Sequence, residues 1–149
     1  MAGPGGWNDS ILLYTGRQYE LQLMSKVQFE LMFSPLISIK GTQDVIDRLG
    51  SFPSFHYDEI TKVHLKATGH GDIQTDLSLT IRHTSADGLE QDVNFYFEDI
   101  QQENISPAEE CNICLQLSFS YVDELIRVEL DAVSGFAATF LCRDIRAQL

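Results

Sequence analysis

In Leu77-Ser78-Leu79-Thr80-Ile81-Arg82, and again in Val93-Asn94-Phe95-Tyr96-Phe97-Glu98, every second residue is apolar. A period of two puts the apolar set on one face of a strand and leaves the other face wet. Between the two runs, Ala86-Asp87-Gly88 supplies the residues of a tight turn, so the pair reads as a hairpin. Outward from it the pattern repeats. Val63, Leu65 and Ala67 alternate with Lys62, His64 and Lys66, and Ile113, Leu115, Leu117 and Phe119 alternate with Cys114, Gln116, Ser118 and Ser120. Ile126, Val128 and Leu130 share a parity, as do Phe136, Ala138, Phe140 and Cys142 beyond the turn at Ser134-Gly135. Upstream, Val27, Phe29, Leu31 and Phe33 alternate until Pro35 interrupts, and Leu36–Lys40 continues as a short second piece. The stretch Asp99–Glu110 holds Pro107 and few apolar residues, which predicts a loop or a short helix.

One helix interrupts the strands. Thr42 after Gly41 is placed to cap it through its hydroxyl, with Asp44 in the favourable first turn. Val45, Ile46 and Leu49 share a face, and Gly50 is a stop signal. Short connections and one-face alternation favour antiparallel pairing, and no βαβ spacing appears. The expected class is therefore α+β, mostly β: a curved, mainly antiparallel sheet with one short helix near the start of the domain. Residues 1–24, which open on Gly3-Pro4-Gly5-Gly6, are expected to form an N-terminal extension, poorly ordered or with one short strand around Ile11–Thr15. Residues 25–149 are expected to form a single antiparallel-sheet domain.

The chain has 149 residues, the size of one domain, and is 44% apolar, which suits a packed core rather than disorder. Lys and Arg total 10 against 22 Asp and Glu, a net charge of −12. Such a surface disfavours nucleic acid and anionic membranes as partners. Three cysteines do not make a secreted disulfide framework. No spanning stretch occurs, and Met1–Asn8 lacks the basic residues of a signal peptide, so a cytoplasmic location is expected.

The chemistry-bearing motifs are few. Cys111-x-x-Cys114 has no second pair to complete a zinc site, and it enters an alternating strand rather than opening a helix. Cys111 follows the Ile113 parity and Cys142 the Phe140 parity, as small core residues do. His56, Asp58 and Glu59 lie close in sequence after a Pro53 turn. They offer the alternative of a small metal-dependent hydrolase. Against it, Phe52 and Phe55 read as core plugs and His56 as bonded locally to the turn. Phe52, Pro53, Phe55, His56 and Asp58 are thus expected to be structural. No nucleophile elbow, phosphate cradle or His-Glu-x-x-His is present. No catalytic, cofactor-binding or metal-binding residue is expected. His64 reads as surface, and His70 and His83 carry no signal.

Charge is distributed unevenly. Residues 1–40 are balanced, whereas Asp87–Asp131 holds twelve acids against Arg127 alone. A solvated face accounts for some of this. The sharper expectation is a surface complementary to a basic protein, carried by Tyr96, Glu98, Asp99, Glu103, Glu109 and Glu110. A third class, a structural subunit using an exposed sheet edge, also fits a sheet-rich chain.

The run Leu49-Gly50-Ser51-Phe52-Pro53-Ser54-Phe55-His56-Tyr57-Asp58-Glu59-Ile60 resembles the opening motif of the immunity-protein-50 family, in which a Phe-His-Asp step leads into the first long strand. Phe97-Glu98-Asp99 and Phe140-Leu141-Cys142-Arg143-Asp144-Ile145 are similar to that family's later aromatic-acidic step and closing strand. The resemblance covers about Gly41–Ile145. Two features depart from it: Tyr57 separates His56 from Asp58, and Asp99–Glu110 is longer. The resemblance implies a bacterial cytoplasmic protein that neutralises a cognate protein toxin by occupying its surface. It carries over no catalytic residue.

Overall fold

The computed structural model describes residues 10–14, 21–25, 35–71 and 73–149. The alternation at Val27–Phe33 lies outside them. The chain divides into two units, Met1–Ile37 and Ser38–Leu149. In the first, β1 (Ser10–Tyr14) pairs antiparallel with β2 (Leu21–Ser25), Leu12 opposite Leu23. β1 coincides with the strand expected around Ile11–Thr15 through Tyr14. A 3-10 turn, Pro35–Ser38, takes the place of the extended piece expected after Pro35.

The second unit begins with α1 (Thr42–Leu49). Gly41, not Thr42, is the N-cap: its φ of 90° is open to glycine, and no side chain caps the helix. Thr42 is instead the first helical residue, and its hydroxyl donates to the Ile39 carbonyl at 2.8 Å. Gly50 closes the helix as expected, its left-handed N–H donating to Ile46 O at 2.7 Å. Val45 is fully buried beneath the helix.

Eight strands follow: β3 (Glu59–Thr68), β4 (Gln74–Thr84), β5 (Glu90–Glu98), β6 (Gln101–Ile105), β7 (Ile113–Val122), β8 (Leu125–Ser134), β9 (Ala138–Cys142) and β10 (Asp144–Gln148). They form one antiparallel sheet in the order β10-β5-β4-β3-β7-β8-β9-β6. The mostly-β class with one short helix is what the alternation predicted.

The sheet has two halves joined at one point. Its β3–β7 seam pairs only Glu59 with Ile113, supported by Ile60 N–H to Asn112 O at 2.8 Å. The chain also crosses between the far ends twice. β5 passes through Asp99 and Ile100 into β6, and β9 passes through Arg143 into β10. Connections this short require the ends of the sheet to fold towards each other. Phenylalanines fill the space between them: Phe97 meets Phe140 at 5.1 Å and Phe95 meets Phe119 at 6.4 Å between ring centroids. Leu77, Leu79, Ile81 and Val93 from one half and Val128, Leu130 and Cys142 from the other complete the buried layer.

Three local expectations are overturned. Asp99–Glu110 contains a strand, β6, which pairs with β9 as a sheet edge and tolerates a polar sequence because one side stays wet. Val63, Leu65 and Ala67 do not face a covered core: beyond Glu59 no strand backs β3, and Leu65 stays 46% exposed. The cysteines exchange places. Register shifts on both sides of Cys114 turn its side chain inward, fully buried, while Cys111 is exposed. Cys142 is buried, as its parity required. Among the described residues no helix is long and apolar enough to cross a membrane.

Candidate functional site

The segment from Phe52 to Glu59 runs where a strand would otherwise lie beside β7. Leu117 N–H donates to Ser54 O, Tyr57 N–H to Cys114 O, and Cys114 N–H to Asp58 O, at 2.8–3.2 Å. To make these bonds Phe55 and Tyr57 adopt φ of 61° and 62°, values unusual for bulky side chains. Such conformations cost on the order of 1–3 kcal/mol each and persist only where the surroundings fix them. The Phe55 ring supplies the fixing. It is 1% exposed and lies edge-on to Phe52 at 6.1 Å and Phe95 at 5.6 Å. Phe52 and Pro53 are half-buried, with Phe52 also against Phe119.

The alternating conformations send successive side chains in different directions. His56 is exposed, pairs its Nδ1 with the Leu115 carbonyl at 2.9 Å and lies against Tyr57. Its partner is thus a residue of β7 and not the local turn that the sequence predicted. Asp58 turns inward and is 6% exposed. One carboxylate oxygen meets His83 Nδ1 at 2.7 Å, and the other accepts from the Thr84 N–H at 3.2 Å. Glu59 turns outward to Arg82 at 3.9 Å. The three groups of the hydrolase alternative therefore take three separate partners. Among the described residues no three His, Cys, Asp or Glu side chains converge to hold a metal.

His83 is the residue that sequence reasoning missed. It continues the inward parity of Leu77, Leu79 and Ile81, a faint sign that it does more than occupy a loop. It also borders a hollow of about 380 Å³, lined further by Arg48, Leu49, Ser85, Asp87, Leu89 and Glu90. Ser85 donates to Asp87, and that bond is the main cause holding the Asp87 carboxyl below its ordinary range. With both acids and Arg48 at the rim, the hollow is of mixed charge.

The residues expected to meet a partner fall into two groups. Tyr96 lies half-buried on the outer face of β5 beneath the Arg146 guanidinium, 4.6 Å from the ring centroid. Glu98 is exposed at the end of that strand. Asp99 occupies the crossing into β6 and forms an ion pair with Arg143 at 2.7 Å, which ties the two crossings together. Glu103 on β6, and Glu109 and Glu110 in the β6–β7 loop, are exposed and have no ion-pair partner among the described residues.

These last three belong to an acidic half. Residues 101–142 contain Glu103, Glu109, Glu110, Asp123, Glu124, Glu129 and Asp131 against a single base, Arg127. Arg127 is itself occupied by Glu129 at 3.0 Å. Leu115, Tyr121, Val122 and Val133 are exposed on the same half. A shallow hollow of about 200 Å³ opens there between Gln102, Val122, Arg127, Thr139 and Leu141. No protein-family model matches this chain, and neither does any curated protein or solved structure.

Proposed function

We propose that this chain is a protein-binding module of the immunity type, which neutralises a cognate protein toxin by covering its surface. The observation that carries the reading is the acidic half. Six carboxylates without an ion-pair partner share that half with the exposed side chains of Leu115, Tyr121, Val122 and Val133, and its one base is already neutralised by Glu129. Exposed apolar side chains and carboxylates together suit a protein-binding surface, on which the carboxylates speed and orient the encounter with a basic partner. The resemblance of Leu49–Ile60, Phe97–Asp99 and Phe140–Ile145 to the immunity-protein-50 family supports the same class. On this reading the protein works in the bacterial cytoplasm, and nucleic acid and membrane are not its partners.

The hydrolase alternative, with His56, Asp58 and Glu59 sharing a metal, is less well supported because each of the three is bonded elsewhere. The test is capture of partners from native lysate with the tagged full chain, washed at low and high salt. We expect one basic protein that is released by salt, and that arrests growth of a host cell unless this chain is co-expressed. Recovery of a stable partner whose toxicity is unaffected by co-expression would overturn the immunity reading.

A further inference from the structure

The cations of this acidic chain are not all neutralised. Arg82 is paired with Glu59, Glu90 and Asp92, Arg127 with Glu129, and Arg143 with Asp99. Lys40, Arg48, Lys62, Lys66 and Arg146 have no carboxylate within 4.0 Å among the described residues, although acids outnumber bases 22 to 10. Pairing places Lys40, Lys62 and Arg146 in two adjacent rows. His64 lies opposite Ser78, Ser78 opposite Tyr96, Tyr96 opposite Arg146, and Arg146 bridges Lys40. Directly paired residues project from the same face, so this is one row across the outer surface. The neighbouring row is Lys62, Thr80, Asn94 and Gln148. Neither row contains a carboxylate.

A shallow hollow of about 220 Å³ lies across the two rows, lined by Lys62, His64, Ser78, Thr80, Asn94 and Tyr96. Its polar groups are biased towards donation. The Thr80 hydroxyl donates to Asn94 Oδ1 at 2.7 Å, which occupies that acceptor and leaves the Asn94 amide N–H groups to donate. Lys62 donates only, and the Ser78 and Tyr96 hydroxyls can donate. Arg146 caps the Tyr96 ring and adds positive charge at the far rim.

We propose that this hollow is a site for a single oxyanion, of the phosphate class, presented by a small molecule. Charge-assisted donors are what such a group requires. The strip is also narrow. The next row on one side holds Asp76, Glu98 and Asp144 beside Lys66, and on the other side Glu59, Arg82 and Asp92. Each lies about 7 Å away, two residues along the strands. A polyanion meets those carboxylates, whereas one phosphate group does not. The net charge of −12 repels anions at long range, but beyond roughly 10 Å that field is screened at 0.1 M salt. Nearby cations then decide the outcome.

The test is titration of the ¹⁵N-labelled full chain with inorganic phosphate and, separately, with glycerol 3-phosphate, using sodium chloride at matched ionic strength as the control. We expect saturable NMR shifts centred on Lys62, His64, Ser78, Tyr96 and the Asn94 side-chain amide, with a Kd of about 1 mM for phosphate. Tighter binding of the ester identifies a phosphate monoester as the ligand, and equal binding identifies the free ion. Lys62→Met together with His64→Val, both at exposed positions, weakens binding about tenfold or more. Shifts that match the chloride control, or that survive the double substitution, would overturn the proposal. So would a concentration-dependent dimer abolished by Lys62→Met, since the strip would then receive acidic side chains from a second copy.

Discussion

Asp58 shows how much one side chain holds in place. Its two oxygens serve His83 on β4 and the Thr84 N–H, while its own backbone carbonyl accepts from Cys114 of β7. Replacing it with alanine leaves a partly buried imidazole nitrogen and a backbone donor without partners. We expect Asp58→Ala to lower stability by about 2–4 kcal/mol, measured by urea unfolding. By contrast, His56→Ala removes one exposed bond and should cost less than about 1 kcal/mol. The Asp58 carboxylate also lies near Cys114, whose thiol is pushed up to about 12, first by burial and then by the charges of Asp58 and Asp131. Burial, followed by Asp144, raises Cys142 to about 12 as well. Both thiols ionise near 9 in the unfolded chain and stay protonated in the folded one, so raising the pH draws the equilibrium towards unfolding. Stability should fall by roughly 1.4 kcal/mol per pH unit per thiol between about pH 9 and about pH 12. Comparison with Cys114→Ala/Cys142→Ala, which lacks this slope, isolates it from other titrations. At neutral pH a thiol reagent should label Cys111 rapidly and the other two only on unfolding.

Among the elements, those with unbroken alternation were legible. β4, β5 and β8 lie where a period of two placed them, with Leu79, Phe95 and Val128 inward. What was not legible came from bulges and neighbours. No residue in Cys111–Gln116 signals two register shifts, yet those shifts reverse which cysteine is buried. Nothing in Val63–Ala67 reveals that β7 diverges after Glu59 and leaves Leu65 uncovered. β6 was hidden because an edge strand with polar side chains resembles a loop in composition. His83 was missed because its partner is 25 residues distant and meets it only through the strained turn at Phe55 and Tyr57. One buried connection can be tested directly. A Cβ at Gly41 would strike the backbone carbonyl of Ala147, and the φ there is 90°. Gly41→Ala should therefore separate α1 from β10 and cost about 2 kcal/mol or more, read from the thermal midpoint, whereas Gly50→Ala meets no neighbour and carries only the strain of its φ of 85°.

In the second unit, both halves of the sheet are acidic, and bases are scarcest in the β6–β9 half. The β6–β9 half carries seven carboxylates and one neutralised arginine, whereas residues 38–100 and 143–149 carry twelve carboxylates against seven bases, among them Lys62, Lys66 and Arg146 on the outer face of β3, β4, β5 and β10. The net −12 was readable from composition, and so was its concentration after residue 87. The unpaired cations were not, because Lys40, Lys62 and Arg146 meet only through strand pairing. Carboxylates concentrated in one stretch of the sheet raise the rate of encounter with a basic partner there. The most direct test is the affinity of the captured partner for the wild-type chain and for Glu103→Gln/Glu109→Gln/Glu110→Gln, measured across ionic strength. Removing three exposed charges should leave stability unchanged, slow association, weaken binding about tenfold or more at low salt and flatten the salt dependence. Unchanged affinity and an unchanged salt slope would contradict the acidic half as the binding surface.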